Sequence, residues 1–423
     1  MLLDKLLTQM AVCILGKTLL ILGAGQDQIP GILKAQEMGL YTIVLDGNQE
    51  AAGKQFSDEF HQVSIKHFQK IESFIDNTLD KPVDGVIAFG VDIPYIIART
   101  ATRLGVNYTI SNEASELSEN KYQSKCFMEK QGVNIPAFKL ISQPQEIEVF
   151  IKLHHFPIII KPIDNSAARG VSFINSFDQI EEAFAEAFNN TQSNKILIEK
   201  YLAGPQVSTE SFIINGEIHN IGFADRNYSN MERFFPHIIE DGGDLPSLYM
   251  TETLKNSLTK QLQLIIDGLG INNAVIKGDI VIYENKLFII EFALRLSGGN
   301  FSTVEIPENT GVDFLKIAIK LHLNESINAS QLSITQNKHI SIRYKFAEDN
   351  LQGKIKSLTM PDENENIILQ AFHANPGDII TTKTKNHANR LGFVISKGSS
   401  RESAIRHAEQ QILKMDIKID SIL

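Results

Sequence analysis

Three apolar runs near the start of the chain, TLLILGAG from Thr18, YTIVLDGN from Tyr41 and DGVIAFGVD from Asp84, each end on glycine or aspartate and lead into a helical stretch. That alternation predicts a parallel α/β sheet. Such sheets bind ligands beyond the carboxyl ends of their strands, where Gly23, Gly25, Asp46, Gly47 and Asp92 fall. From Ser111 to Gln131 the pattern turns charged and helical, and Gly132 and Pro136 in GVNIPAF punctuate a boundary. Two strand-and-loop segments follow, FPIIIKPIDNSAARGVSFI and NKILIEKYLAG, with an acidic helix between them. Between Ser208 and Glu291 the alternation predicts antiparallel strands, with turns at Asn215-Gly216 and Glu284-Asn285. After Leu323 a polar linker, NESINASQLSITQNKH, precedes a last mixed segment that closes on a helix from Arg401 to Met415. The chain thus reads as a short extension (1–17) and three units: 18–115, 116–325 and 326–423.

Composition narrows the function classes. At 423 residues, 43% hydrophobic and 21% charged, the chain suits two or three globular domains. A formal charge of -10 without a long Lys/Arg run argues against a nucleic-acid footprint. No run approaches the roughly 20 apolar residues of a membrane helix, and Met1 to Gly16, broken by Asp4 and Lys5, lacks the marks of a signal peptide. Cys13 and Cys126 have neither CxxC partners nor metal-ligand spacing, so a reducing, cytoplasmic setting is expected. His154-His155 lack a carboxylate spaced to join them, and zinc is not indicated.

Candidate chemistry concentrates in a few places. Gly23-Ala24-Gly25 followed by Asp46 suggests a dinucleotide turn, but Gln28 stands where the third glycine belongs, so a substrate pocket and a plain architectural turn are the better readings. Lys161 ends an apolar strand, and an unpaired buried ammonium is expensive, so it calls for an anion. The small residues Ser166 to Gly170 behind it would let backbone N–H groups approach phosphate, with Arg169 adding charge; a surface loop with a snorkelling lysine is the bland alternative. Asp279 and Glu291 sit on the two arms of one hairpin, where their repulsion is relieved by a cation such as magnesium. Arg295 and Ser297-Gly298-Gly299-Asn300 follow closely, and a guanidinium there can stabilise a transferring phosphoryl group.

In order and spacing, Lys121, Lys161 with its loop, Glu199-Lys200-Tyr201-Leu202, Asp279 and Glu291 to Gly299 resemble the ATP-grasp superfamily, most of all its carboxylate-amine ligases related to L-amino-acid ligases and purine-pathway enzymes. GAGQDQIP and LDGN resemble the family's N-terminal domain, and RLGFVISKGSSRESAIRHAE its C-terminal domain. The resemblance implies an α/β and α+β chain: a Rossmann-like parallel domain (18–115), an ATP-grasp domain in two lobes (116–203 and 204–325) and a small mixed C-terminal domain (326–423).

It further implies ATP as co-substrate with magnesium, or manganese in its place. Lys121 and Lys161 would hold phosphates together with Ser166, Arg169 and Gly170. The backbone of Glu199 and Leu202 would meet adenine, with Lys200 near the base and Glu210 at the ribose or the metal. Asp279 and Glu291 would bind the metal, and Arg295 would face the γ-phosphate and the activated carboxylate. Gly25, Asp92, Arg226, Ser297, Gly298 and Gly299 are the candidates for touching substrate, though Arg226 could equally form an ion pair. The implied reaction joins a small-molecule carboxylate to an amine through an acyl phosphate. A bicarbonate-dependent carboxylase and a non-catalytic ATP-binding regulator are the alternatives, and a homodimer is compatible with any of them. Three positions depart from the family pattern: Asn120 before the first lysine, Ala167-Ala168 in the phosphate loop, and Ala293 where a metal-binding asparagine is usual.

Overall fold

The computed structural model describes residues 16–349, 351–380 and 383–421; most of the expected N-terminal extension lies outside the described residues. Thr18–Leu22 is buried along its length between Tyr41–Asp46 and Gly85–Ile87, with Glu59–Gln62 outside Tyr41–Asp46, all parallel. Continuous apolar strands of this kind need cover on both faces. Ile32 and Ala35 of helix Ile29–Glu37 pack into one core with Leu19 and Ile21, while Ile71, Ile97 and Ala101 of Phe68–Asn77 and Pro94–Leu104 join Leu20 and Leu22 in another.

The turn after the first strand is tied by its own residues. Asp46 Oδ2 accepts the Ala24 N–H at 2.8 Å, its Oδ1 accepts Asn48 N–H at 2.8 Å, and the buried Gln28 donates Nε2–H to the Phe89 carbonyl at 2.9 Å. Asp46, which suggested a dinucleotide fingerprint, and Gln28, which departs from it, therefore both brace neighbouring loops.

A four-stranded antiparallel sheet follows, in the order Phe138–Ile141, Ile196–Lys200, Ile158–Pro162 and Ser172–Ile174. Helices Gln145–His154 and Ile180–Asn189 cover it through Ile147, Phe150, Ile180 and Ala183. The main antiparallel sheet has eight strands, ordered Lys286–Ala293, Ala274–Tyr283, Gln206–Ile214, Glu217–Asn227, Gly242–Leu245, His339–Lys345, Gly392–Gly398 and Ile367–Phe372. Both expected hairpin turns form: Asn215 and Gly216 have φ of 51° and 80°, Glu284 and Asn285 49° and 60°. Two left-handed residues in a row match the strand twist of a two-residue hairpin.

The long helix Glu252–Leu269, capped by the Thr251 side chain accepting the Leu254 N–H, packs Leu258, Leu262 and Ile265 on the main sheet. The closing helix Arg401–Lys414 starts at Ser400, whose Oγ accepts the Ser403 N–H. Beyond the polar linker His339–Lys345 hydrogen-bonds directly onto Gly242–Leu245 and carries Gly392–Gly398 and Ile367–Phe372 outside it, so one sheet spans both sides of residue 325 where sequence alone suggested separate units. The cause is register: Gly242 to Leu245 pair with Arg343 to Ile340, and the linker only has to bring that strand alongside.

Candidate active site

A cleft lies where the four-stranded sheet faces the main sheet. Its floor on one side is Lys161, 6% exposed at the end of its strand. The anion it requires is supplied within the chain: Glu199 Oε1 lies 2.8 Å from Lys161 Nζ and 3.1 Å from Lys125 Nζ. Burial pushes the Glu199 carboxyl up, but the two lysines outweigh it and hold the group below its usual range. Burial dominates at Lys125 and pulls its ammonium down to about 8 against the attraction of Glu199.

Glu199 thus enters the cleft through its carboxylate, whereas its backbone pairs with Phe138 and Ile159 on both sides in the sheet. An adenine-facing backbone was the expectation there. The strand ends just beyond, and Lys200, Tyr201 and Leu202 line the cleft. Lys200 Nζ donates to the carbonyls of His155, Phe156 and Pro157 at 3.3, 3.0 and 3.4 Å, which turns its charge toward that loop.

The loop after Lys161 is held from outside: Asn165 Nδ2 donates to the Asn190 carbonyl at 2.8 Å and Asn165 Oδ1 accepts the Ser166 N–H at 2.9 Å. Ala167 and Ala168 both adopt φ near +57°, a left-handed conformation that costs a residue with a Cβ roughly 1–2 kcal/mol. Asn165, Ser166, Ala167 and Ala168 line the cleft. Arg169 reaches back to Asn165 Oδ1 at 3.4 Å, and Gly170 packs on the Ile180–Asn189 helix, where an added Cβ would lie 2.8 Å from that of Asn190. These two candidates shape the loop from behind.

Opposite stands the acidic hairpin. Asp279 and Glu291 are direct cross-strand partners, with a bulge immediately after them. Three cations surround the pair: Lys277 Nζ is 2.6 Å and Arg226 Nη1 3.4 Å from Asp279, and Lys121 Nζ is 2.9 Å from Glu291. Against burial, which alone would raise both groups, Lys121 and Lys277 bring Glu291 down to about 2, and Lys277 and Arg226 hold Asp279 far below the carboxylate range. Two adjacent ionised carboxylates fit a hard divalent cation. Among the described residues no cluster of three or more His, Cys, Asp or Glu could hold a metal. Ala293, where the resemblance implies an asparagine, lies directly across the hairpin from Lys277.

Arg295 donates from Nε to Asp92 Oδ1 at 2.6 Å, joining the main sheet to the carboxyl end of the parallel sheet. Behind it Ser297 N–H donates to Glu210 Oε1 at 2.9 Å. Glu210 is fully buried and burial raises its carboxyl to about 7, so it supports the Ser297 loop and lies beneath the cleft surface that a ribose or metal contact would require. Gly298 meets Gly90 so closely that a Cβ on Gly90 would lie 2.9 Å from the Gly298 Cα.

A second cavity opens here and shares Asp92, Arg226, Lys277, Arg295 and His387 with the first. Ser297, Gly298 and Gly299 line it; Gly25 lines neither, because its turn is occupied by Gln28. Arg226 forms the ion pair considered for it, through Nε with Glu240 at 3.0 Å, and it also lines both cavities.

Lys125, Lys277, Glu240, Glu305, His387 and Arg390 were not singled out from sequence. Lys125 carried a signal, four residues after Lys121 and so on the same helix face. Lys277 did as well, two residues before Asp279 on one strand face. His387 arrives from the far end of the chain, with its N–H on the Ala167 carbonyl at 3.0 Å and its Nε2 accepting the Glu240 N–H at 3.3 Å; no local pattern foretells that.

Residues 119–235 match the model of the phosphoribosylglycinamide synthetase ATP-grasp (A) domain. The carbamoyl phosphate synthase large chain of Lachnoclostridium phytofermentans is 22% identical over 339 residues, 77% of this chain but 30% of that protein, so this chain spans about a third of the length of the first such relatives. The formate-dependent phosphoribosylglycinamide formyltransferase of Wolinella succinogenes is 22% identical over 410 residues, covering 94% of this chain and 96% of that one. Among solved structures, L-amino acid ligase from Bacillus licheniformis superposes with a TM-score of 0.78 at 17% identity, covering 96% of this chain and 99% of the other, a likeness of fold.

Proposed function

Given that this chain has an ATP-grasp fold, we propose that it is an ADP-forming ligase that activates a carboxylate with ATP and joins it to an amine. The observation that carries the proposal is the convergence, in one cleft, of the Lys121 and Lys161 ammonium groups with the Asp279–Glu291 pair and Arg295, with Lys125 buried behind Glu199. The resemblance gives the phosphates to Lys121 and Lys161, with the N–H groups around Ser166 beside them, and the purine to the strand end at Lys200 to Leu202.

Asp279 and Glu291 would hold magnesium, with manganese as the substitute, and such an ion supplies charge neutralisation on the phosphate oxygens. A carboxylate oxygen attacks the γ-phosphorus, the bond to the β-phosphate oxygen breaks, and ADP leaves with that electron pair. The amine then attacks the acyl carbon, inorganic phosphate leaves, and the amine gives up a proton. Arg295, oriented by Asp92, would stabilise charge on the transferring group, since positioning and electrostatics do most of the work in such transfers.

We read residues 18–115 as the domain before the grasp, 116–203 and 204–325 as its two lobes, and 326–423 as a C-terminal domain joined by the shared sheet. The test is ADP release with magnesium and ATP over a panel of amino acids and amines, with mass spectrometry of the product. Release that depends on both a carboxylate and an amine supports the ligase, and none above background across the panel removes it.

A further inference from the structure

We propose that the second cavity seats a primary ammonium group on Glu305, making this residue a determinant of which amine the protein accepts. The substrate role of that amine rests on the ligase proposal; its binding does not.

Glu305 ends the single π-helical turn Phe301–Glu305 that follows the Ser297–Asn300 loop, and it lines the second cavity while only 3% exposed. Among the described residues its carboxylate accepts no hydrogen bond and forms no ion pair. The other charged residues of this wall are matched. Asp92 has Arg295 at 2.6 Å, Glu240 has Arg226 at 3.0 Å, Lys277 has Asp279 at 2.6 Å, and Arg390 donates to the Glu240 carbonyl at 2.7 Å while stacking 3.6 Å from the Tyr344 ring centre.

A carboxylate buried without a partner costs several kcal/mol, and here burial, with Glu240 and Asp244 nearby, drives the Glu305 carboxyl well above its ordinary range. Arg343 and Arg390 pull the other way without coming close enough to pair. The unliganded carboxyl therefore keeps its proton, and an entering cation that exchanges with that proton supplies the partner the chain lacks. A divalent metal is a poor occupant, because it asks for several oxygen ligands and no group of three acidic, His or Cys residues exists among those described. An ammonium is compact, carries one positive charge and offers three donors, which suits a single carboxylate. Seated there, an amine stands in the cavity that opens onto Arg295, on the side away from Lys161 and the Lys200–Leu202 strand end.

The test is ligand-induced thermal stabilisation with L-alaninamide and N-acetyl-L-alaninamide, which differ in the ammonium, and with putrescine. L-Alaninamide and putrescine are expected to raise the melting temperature and the acetylated compound to leave it unchanged. In Glu305→Gln, affinity for L-alaninamide should fall about tenfold or more. The shift caused by ATP should be retained, and the unliganded variant should melt no lower than the wild type, because a neutral amide of the same shape replaces a protonated carboxyl. Equal binding of the acetylated compound, no shift with either free amine, or a variant that binds amine normally or melts lower would each overturn the proposal. The matched probes decide the matter on the unaltered protein even if the variant does not fold. Failure of the ligase proposal looks different: amine binding that depends on Glu305, without ADP release.

Discussion

The two cavities share a wall but manage charge in opposite ways. In the first, each carboxylate of the acidic hairpin already lies against a cation of the chain, Lys277 and Arg226 on Asp279 and Lys121 on Glu291. In the second, Glu305 stands without one. A cation entering the first site must displace a lysine, so binding there is an exchange whose net gain is smaller than its contacts suggest. A cation entering the second exchanges only with the proton that burial keeps on Glu305 and displaces no side chain. One cleft is thereby arranged for reversible traffic of a metal and nucleotide, the other for selecting a charge.

The sharpest way to break this contrast is Glu291→Gln, which removes half the acidic pair and frees Lys121. Turnover should fall about 100-fold or more while nucleotide-induced stabilisation persists; unchanged ADP release would remove the pair from catalysis. Next in size is the buried support of the shared wall. Burial raises the Glu210 carboxyl to about 7 in the folded protein from an ordinary value of 4.5. The folded state therefore keeps a proton that the unfolded chain loses, and this contribution to stability is full below about pH 4.5 and is lost as pH rises to about 7. Denaturant unfolding from pH 4.5 to 8 should show wild-type stability falling relative to Glu210→Gln, with parallel curves as the contrary result.

A smaller effect is expected from Lys277→Met, which takes away the resident competitor at Asp279. The magnesium concentration needed for half-maximal nucleotide stabilisation should drop several-fold; a higher requirement would mean that Lys277 helps to hold the nucleotide. The smallest concerns the loop between the two cavities. Ala168→Gly relieves a left-handed alanine and should raise the stability of the unliganded protein by about 1 kcal/mol at most, offset in part by the entropy of glycine. A loss of stability would show that the loop needs the methyl group for packing.

Much of this was written locally. Period-two patterns and two-residue turns locate the hairpins, and because one of those turns sits between Tyr283 and Lys286 the pairing of Asp279 with Glu291 follows from counting. Lys161 was visible as a lysine at the end of an apolar strand. What sequence could not supply was the identity of its anion, because Glu199 was read for its backbone and Lys125 lies 36 residues before Lys161. The second cavity was less legible still. Gly90, Glu240, Glu305, Tyr344 and Arg390 meet there only because distant strands pair and loops cross, and Glu305 follows Ser297-Gly298-Gly299 by a turn whose π-helical winding no spacing rule anticipates. Glu210, which the resemblance set at the ribose or the metal, instead holds the Ser297 N–H beneath the cleft, a contact between segments 87 residues apart that no local pattern announces.

The continuous eight-stranded sheet also bears on how such a chain can be remodelled over evolutionary time. Gly242–Leu245 is flanked on one side by Glu217–Asn227 and on the other by His339–Lys345. Ending the chain before residue 339 would strip that second neighbour and leave an unpaired row of backbone donors and acceptors, a template for unwanted association. The tail is therefore a poor candidate for exchange by recombination at the linker, where a naive reading would place the cut. A new tail would have to bring a strand of matching register, so this part of the chain is free to diversify by substitution far more easily than by replacement.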